Sequence, residues 1–259
     1  MRRLAAPLLA SALLLTPFVA FAQDAGQSVT PTAALAADPV DLSGLWVVSN
    51  RSARGALDEN LQPLTAEQYL TPAGTEALAS VRPALDPSAM CLPAMPRHIP
   101  GPYPIEIVQR PGRVAMLFEW DTVFRLIYTD GRGHPDPLDD QRYMGHAVGQ
   151  WQGSELHVDT ANFNGKAWLE GSGLPMSDQA HLTERYWLED NGQTMRVVIR
   201  VADPVYLSRP IWRSYYFNLR NDWYIREYLC AEGNRDNVFQ QREGELGSLT
   251  AEDVIETGD

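Results

Sequence analysis

The stretch HLTERYWLEDNGQTMRVVIRV, residues 181–201, decides the fold. Two runs of alternating polar and apolar residues flank Asn191-Gly192. An Asn-Gly pair in this setting is the strongest short-range signal of a β-hairpin, because both turn residues must accept positive φ. We therefore predict two antiparallel strands over 182–189 and 194–201. Their pairing places these side chains on one face: Leu182, Glu184, Tyr186, Leu188, Met195, Val197, Ile199 and Val201.

Glu184 is the only charged residue on that otherwise apolar face. Burying an unpaired carboxylate costs several kcal/mol or forces its pKa upward, so Glu184 is either tied to a buried cation or kept for chemistry. A hairpin around Asp121 supplies a candidate cation. It places Arg125 on a face with Val114, Met116, Phe118, Val123 and Ile127. The two charges form either a structural ion pair or a binding or catalytic pair inside a barrel cavity.

Short alternating runs continue through most of the remaining chain. They predict further strands over 41–48, 105–109, 113–120, 122–128, 145–151, 155–160, 212–220 and 223–230. Consecutive antiparallel hairpins in this number need closure or a second sheet to bury their faces. We predict an all-β, mainly antiparallel fold with a closed β-barrel, lipocalin- or calycin-like or similar. A tight sandwich is the alternative.

Two other segments interrupt the strands. Thr71 followed by Pro72 predicts a helix N-terminus, with the helix running through residues 72–81. Seven prolines between residues 83 and 104 exclude regular structure there and predict an extended strap laid over the domain.

The ends of the chain indicate export. Residues 1–22 have the form of a secretory signal, with Arg2-Arg3, an apolar run and Ala20-Phe21-Ala22 at the cleavage position. We expect a disordered leader over 23–40, a single β-barrel domain over 41–240 and an acidic tail over 241–259. The expected location of the protein is the periplasm.

The charge balance excludes one class of partner. The formal net charge is −12 and becomes more negative when the signal is removed, so nucleic acid is not expected to bind. No segment is long and apolar enough for a membrane span. The expected partner is a small-molecule ligand or substrate, and the sequence does not define the oligomeric state.

The chain contains two cysteines, Cys91 and Cys230. In an oxidising compartment we expect them to form a disulfide, which ties the proline-rich segment to the end of the domain. A free reactive thiol is the alternative.

A third hairpin carries a second candidate site. Its parity places His146 and Asp159 on one face, together with Gln150, Glu155 and His157. A carboxylate near an imidazole fixes its tautomer and raises its pKa, as a general base requires. The alternative is a solvated face with an incidental pair.

Loop residues complete the list of candidates. His134 and Arg132 lie in the loop TDGRGHPDP, and His181 precedes the Glu184 strand. We assign them, with Tyr186, to substrate binding. His98 lies in the proline-rich segment. No HExxH, His-x-His or cysteine-cluster motif occurs, so no metal ligand and no cofactor are predicted, although histidines from separate strands could converge.

Several motifs together carry a resemblance. They are CLPAMPR (91–97), EIVQRPGRV (106–114), TDGRGHPDP (129–137), GHAVGQWQGSELHVDT (145–160), HLTERY (181–186) and DPVYLSRPIW (203–212). The set, which covers about residues 91–235, resembles a family of exported, mostly uncharacterised β-rich bacterial proteins. Gly44-Leu45-Trp46 is similar to the G-x-W opening of lipocalins. The resemblance implies export and a β-rich fold, and it implies no particular activity.

These observations lead to a functional hypothesis. We expect a periplasmic, cofactor-independent acid–base enzyme, a lyase or isomerase, acting on a small aromatic or hydroxylated molecule such as a plant-derived phenolic. Glu184 would transfer the proton, Arg125 would stabilise developing negative charge, and His146 with Asp159 would be the second acid–base pair. A lipocalin-like binding protein without catalysis and a metal-dependent hydrolase are the alternatives.

Overall fold

The computed structural model of the chain describes residues 38–230, and in this range nine strands form a closed barrel. The predicted all-β class and barrel closure are therefore confirmed. The strands are β1 (Gly44–Val48), β2 (Ile105–Arg110), β3 (Arg113–Phe118), β4 (Val123–Tyr128), β5 (His146–Gln152), β6 (Glu155–Ala161), β7 (His181–Glu189), β8 (Thr194–Ala202) and β9 (Ile211–Leu219). The ring closes where β1 pairs with β9.

Strands β4 and β5 are parallel, whereas the other neighbouring strands are antiparallel. Directions can alternate all the way round a closed ring only if the number of strands is even, so nine strands require a parallel pair. A parallel pair needs a long crossover instead of a tight turn. Residues 129–145 form this crossover. The prediction of consecutive antiparallel hairpins was wrong at this junction.

The hairpin of β7 and β8 has the predicted register. Glu184 lies opposite Ile199 and Tyr186 opposite Val197. The turn is one residue longer on each side than a two-residue Asn-Gly turn, because Glu189 pairs with Thr194. Its residues Asp190–Gly192 form a 3-10 turn, and all of them have positive φ. The extension is symmetric, so the same side chains still face inward.

Inward side chains of the strands pack into one apolar core. Met116 lies opposite Arg125, as the hairpin around Asp121 predicts. Full burial of a large apolar side chain contributes about 1.5–3 kcal/mol, so the core stabilises the barrel even with charges inside it. Its fully buried members include Trp46, Ile105, Ile107, Phe118, Ile127, Tyr186 and Phe217.

The helix α1 spans Pro72–Ala79, and the Thr71 hydroxyl caps it by accepting a hydrogen bond from the Gly74 N–H at 3.0 Å. It ends two residues before the predicted end. The prediction of an extended strap in the proline-rich segment was wrong. The segment folds into 3-10 turns at Pro83–Leu85 and Pro87–Met90, and then buries Met95 and Ile99 completely. Proline fits the first position of such turns, and the apolar side chains hold the segment against the core.

The predicted strand over 223–230 was also wrong. Residues 223–229 have no regular structure, because both edges of β9 are already paired, with β8 and with β1. The segment is held by side chains instead: the Thr122 hydroxyl donates to the carbonyl of Tyr228 at 2.6 Å. Cys91 and Cys230 form a disulfide, as predicted, with their Cα atoms 5.7 Å apart.

Several predictions concern residues outside the described range. The signal over 1–22, most of the leader and the acidic tail over 241–259 fall there. The last three leader residues, 38–40, are described, and the Gln109 amide donates to the Asp38 carboxylate and to the Val40 carbonyl. Between residues 38 and 230, no helix has the length and apolar character to span a membrane.

The disulfide should contribute strongly to stability. It joins residues separated by 139 positions, and in the chain-entropy model closing such a loop stabilises the fold by about 5 kcal/mol. We expect Cys91→Ser/Cys230→Ser to lower the free energy of unfolding by this order, measured by urea denaturation. Reductant should destabilise the wild type and leave the variant unchanged. A variant as stable as the oxidised wild type would contradict the prediction.

Candidate functional site

Four polar side chains meet inside the barrel: Arg125 on β4, Thr160 on β6, and Glu184 and Tyr186 on β7. Arg125 donates from Nη2 to Glu184 Oε1 at 2.5 Å and from Nη1 to Oε2 at 2.8 Å. Thr160 donates to Oε1 at 2.8 Å and Tyr186 to Oε2 at 2.5 Å. The carboxylate therefore accepts four hydrogen bonds, and Arg125 is the buried cation that the position of Glu184 requires.

Arg125 and Glu184 both stay charged inside the barrel. Burial raises the pKa of Glu184, but the attraction of Arg125 and the hydrogen bonds outweigh it, so the net shift is downward. Glu184 in turn raises the pKa of Arg125 against the effect of burial. The side chains are only 0% and 2% exposed. A carboxylate with a lowered pKa and no accessible surface is badly placed to exchange protons with a substrate, which favours the structural ion pair.

A second cluster lies on the outer face of the barrel. The crossover 129–145 brings His134 between two residues of the β5–β6 hairpin. His134 Nδ1 lies 3.0 Å from His146 Nδ1, and His134 Nε2 lies 2.8 Å from Asp159 Oδ1. From β7, His181 Nε2 lies 2.9 Å from Asp159 Oδ2. His146 and Asp159 share a face, as predicted, but they are connected through His134.

The hydrogen-bond directions follow from Asp159, which as a carboxylate can only accept. The Nε2 atoms of His134 and His181 must therefore carry hydrogen. In neutral His181 the lone pair is then on Nδ1, which has no hydrogen-bond partner among residues 38–230. When His134 is neutral, its Nδ1 accepts from His146 Nδ1. One carboxylate thus fixes the tautomers of two imidazoles and indirectly that of a third.

The cluster shifts the pKa values of His181 and His146 in opposite directions. Hydrogen bonding to Asp159 raises the pKa of His181 against partial burial. Burial and the neighbouring His134 lower the pKa of His146, contrary to the raised value we expected for a base near a carboxylate. Burial raises the pKa of Asp159, but its bonds to His181 and His134 give a net lowering. Because His181 is 40% exposed, it is the more accessible base.

A cleft of about 900 Å³ lies beside this cluster. Its lining comes from β5, β6 and β7, from Asp38-Pro39 and Gly112, and from the start of the crossover. Asp159 belongs both to the cleft and to the histidine cluster. The lining includes Thr129, Arg132, Gln150, Trp151, His157, Asp159, Thr183, Glu184 and Arg185. The side chain of Glu184 is nevertheless 0% exposed, because it points into the barrel toward Arg125.

The structure thus divides the predicted site residues into two groups. Arg125, Glu184 and Tyr186 are inside the barrel, where Tyr186 is too buried to contact a ligand in the cleft. The remaining residues lie outside: His134, His146 and His181 in the histidine cluster, Arg132 on the cleft wall, and Asp159 in both.

Sequence reasoning missed three contributors. Thr160 joins the inner group, and its alternation with Leu156 and Val158 could have indicated this. Tyr128 stacks on His146, with ring centroids 5.4 Å apart, and Arg185 lines the cleft. Nothing in the local pattern singles out these two residues.

The histidines and acidic residues do not form a metal site in the described part of the chain. In the described part of the chain, no group of three or more His, Cys, Asp or Glu side chains has the arrangement of a metal site. His134 already uses both ring nitrogens. His98 lies apart from the cluster, buried, with its Nε2 3.3 Å from Asp121.

Arg125 and Glu184 should stabilise the barrel only when both are present. We expect Glu184→Leu and Arg125→Met each to cost about 3–5 kcal/mol, because each leaves one buried charge without its partner. The double variant Arg125→Met/Glu184→Leu should cost much less than the sum of the two. Urea denaturation measures all of them. The control is Glu155→Gln, which breaks an exposed pair with Arg185 on the opposite face and should cost under about 1 kcal/mol. Additive losses would contradict the prediction.

The histidines should titrate separately. In an NMR pH titration we expect His181 above the ordinary imidazole pKa and His146 below it. Asp159→Asn should lower the His181 value, because the main cause of its shift is removed. The two histidines should affect the pH dependence of the free energy of unfolding in opposite directions. The stabilisation from His181 is present at low pH and is lost as the pH rises through its raised pKa. The stabilisation from His146 is present at high pH and is lost as the pH falls below the ordinary imidazole pKa. An unchanged His181 value in Asp159→Asn would contradict this account.

Comparison with known proteins identifies no family. No protein-family model matches the chain, and no curated protein matches it at a significant level. The resemblance to exported β-rich proteins stays a prediction.

Proposed function

We propose that the protein is a periplasmic acid–base enzyme, of the lyase or isomerase type, for a small aromatic or hydroxylated molecule that binds in the cleft. The single observation that carries the proposal is the Asp159 carboxylate, which lines the cleft and binds the Nε2 atoms of both His181 and His134. A carboxylate that orients an accessible imidazole is the usual arrangement for a general base.

His181 has the role of the base. Its Nδ1 lone pair accepts a proton from a carbon of the substrate, and Asp159 stabilises the imidazolium that forms, in keeping with the raised pKa of His181. The electron pair left on carbon either expels a group from the neighbouring carbon or moves the double bond. The imidazolium then returns its proton to the leaving oxygen in a lyase, or to a different carbon in an isomerase.

His134 and His146 have a positioning role. His134 donates to the same carboxylate and so keeps Asp159 oriented, while His146, buried under the crossover, holds the other nitrogen of His134. His181 and not Glu184 transfers the proton, since Glu184 is enclosed in its ion pair.

Proton transfer can be measured before the substrate is known. We expect the wild type, incubated in D₂O with a panel of hydroxylated aromatic compounds, to exchange carbon-bound hydrogen for deuterium in at least one of them, detected by mass spectrometry. Asp159→Asn and His181→Gln should each reduce this exchange by about 100-fold or more.

Asp222→Asn is the matched control, because it makes the same chemical change in an exposed ion pair with Arg220 outside the cleft. It should exchange at the wild-type rate. Equal exchange by wild type and Asp159→Asn would refute the assignment. A compound that binds and is recovered without deuterium would favour a lipocalin-like binding protein.

A further inference from the structure

Two arginines line the cleft, and both are held in the same way. Arg132, in the crossover, donates from Nε and Nη2 to the Asp130 carboxylate at distances from 2.5 to 3.1 Å. Arg185, on β7, donates from Nε and Nη2 to the Glu155 carboxylate at distances from 2.7 to 2.9 Å. In each case one edge of the planar guanidinium is bound to a carboxylate.

Aromatic rings support both guanidinium groups. Arg132 lies over the ring of Tyr128 with its central carbon 3.9 Å from the ring centroid, and Arg185 lies 5.3 Å from the ring centroid of Trp187. A carboxylate partner and a stacked ring together restrict a side chain that is otherwise mobile. Less conformational entropy is then lost when a ligand binds.

The remaining edge of each guanidinium is available. The Nη1 atoms of Arg132 and Arg185 have no hydrogen-bond partner in the described part of the chain, and the two side chains are 45% and 49% exposed. These donors come from different parts of the lining, one from the crossover and one from β7. Guanidinium groups bind planar oxyanions with more geometric specificity than any other side chain.

We propose that the ligand of the cleft carries a carboxylate, which Arg132 and Arg185 bind through their free Nη1 groups. The inference rests on the proposed function, since it assumes that the cleft beside Asp159 is the substrate site. Each arginine already has an acidic partner. The cleft is therefore suited to a monoanionic group more than to a phosphate with two charges. The reacting molecule is then a carboxylic acid within the class of small aromatic or hydroxylated compounds.

Pairs of acids and amides test the proposal. Benzoate, 4-hydroxycinnamate and galacturonate are each compared with the corresponding neutral amide by ligand-observed NMR titration. We expect at least one acid to bind the wild type about tenfold or more tightly than its amide. Arg132→Gln and Arg185→Gln should each reduce this preference several-fold.

Arg209→Gln is the control, because Arg209 is 42% exposed and also pairs with a carboxylate, that of Glu59, but does not line the cleft. It should keep the wild-type preference. Equal affinities for acid and amide, no binding by any acid, or an unchanged preference in both cleft variants would each overturn the proposal.

The result can be separated from the test of proton transfer. If Asp159→Asn abolishes exchange and no acid is preferred, the acid–base role stands and the carboxylate class is wrong. If an acid is preferred but no compound exchanges hydrogen, the cleft binds carboxylates without the proposed catalysis.

Discussion

Closure of a ring with an odd number of strands constrains the whole structure. The alternation of strand directions must fail at one junction, and in this barrel the parallel pair is β4 with β5. The chain must then return along the outside of the barrel through residues 129–145 before it can start β5. This return path carries Arg132 to the cleft wall and His134 to Asp159. The outer site therefore exists because the barrel could not be closed by hairpins alone.

The barrel wall separates two groups of polar residues that differ in purpose. Inside, Glu184 has four hydrogen bonds and an arginine partner, so its charge is fully compensated. Outside, Asp159 is 42% exposed and shares its oxygens between two imidazoles, those of His134 and His181. Adjacent strands supply both groups, because successive residues of β6 and β7 point to opposite faces. Thr160 and Asp159 are neighbours in the chain and belong to different groups.

Side-chain alternation explains what could be predicted. It places Glu184 and Arg125 inside and His146 and Asp159 outside, and the Asn191-Gly192 turn sets the register of β7 and β8. These features depend on residues close together in the chain. The direction of β5, the position of His134 and the sign of the pKa shift of Glu184 depend on contacts between distant segments. Alternation also does not show that both edges of β9 are already paired, so it predicts a strand over residues 223–230 that the barrel has no place for.

The parallel junction has a mechanical consequence. Strands β4 and β5 are paired over only two residue pairs, Ile127 with Ala147 and Tyr128 with Val148, whereas β7 and β8 are paired along nine. Local opening of a sheet requires the least free energy where the fewest backbone hydrogen bonds must break. Local opening of the barrel should therefore begin between β4 and β5. The backbone amides that pair these two strands should exchange with solvent sooner than those of β7 and β8. The crossover residue His134 contacts His146 on β5 and Asp159 on β6, so the contacts that build the outer site also hold the crossover against the strands next to this junction.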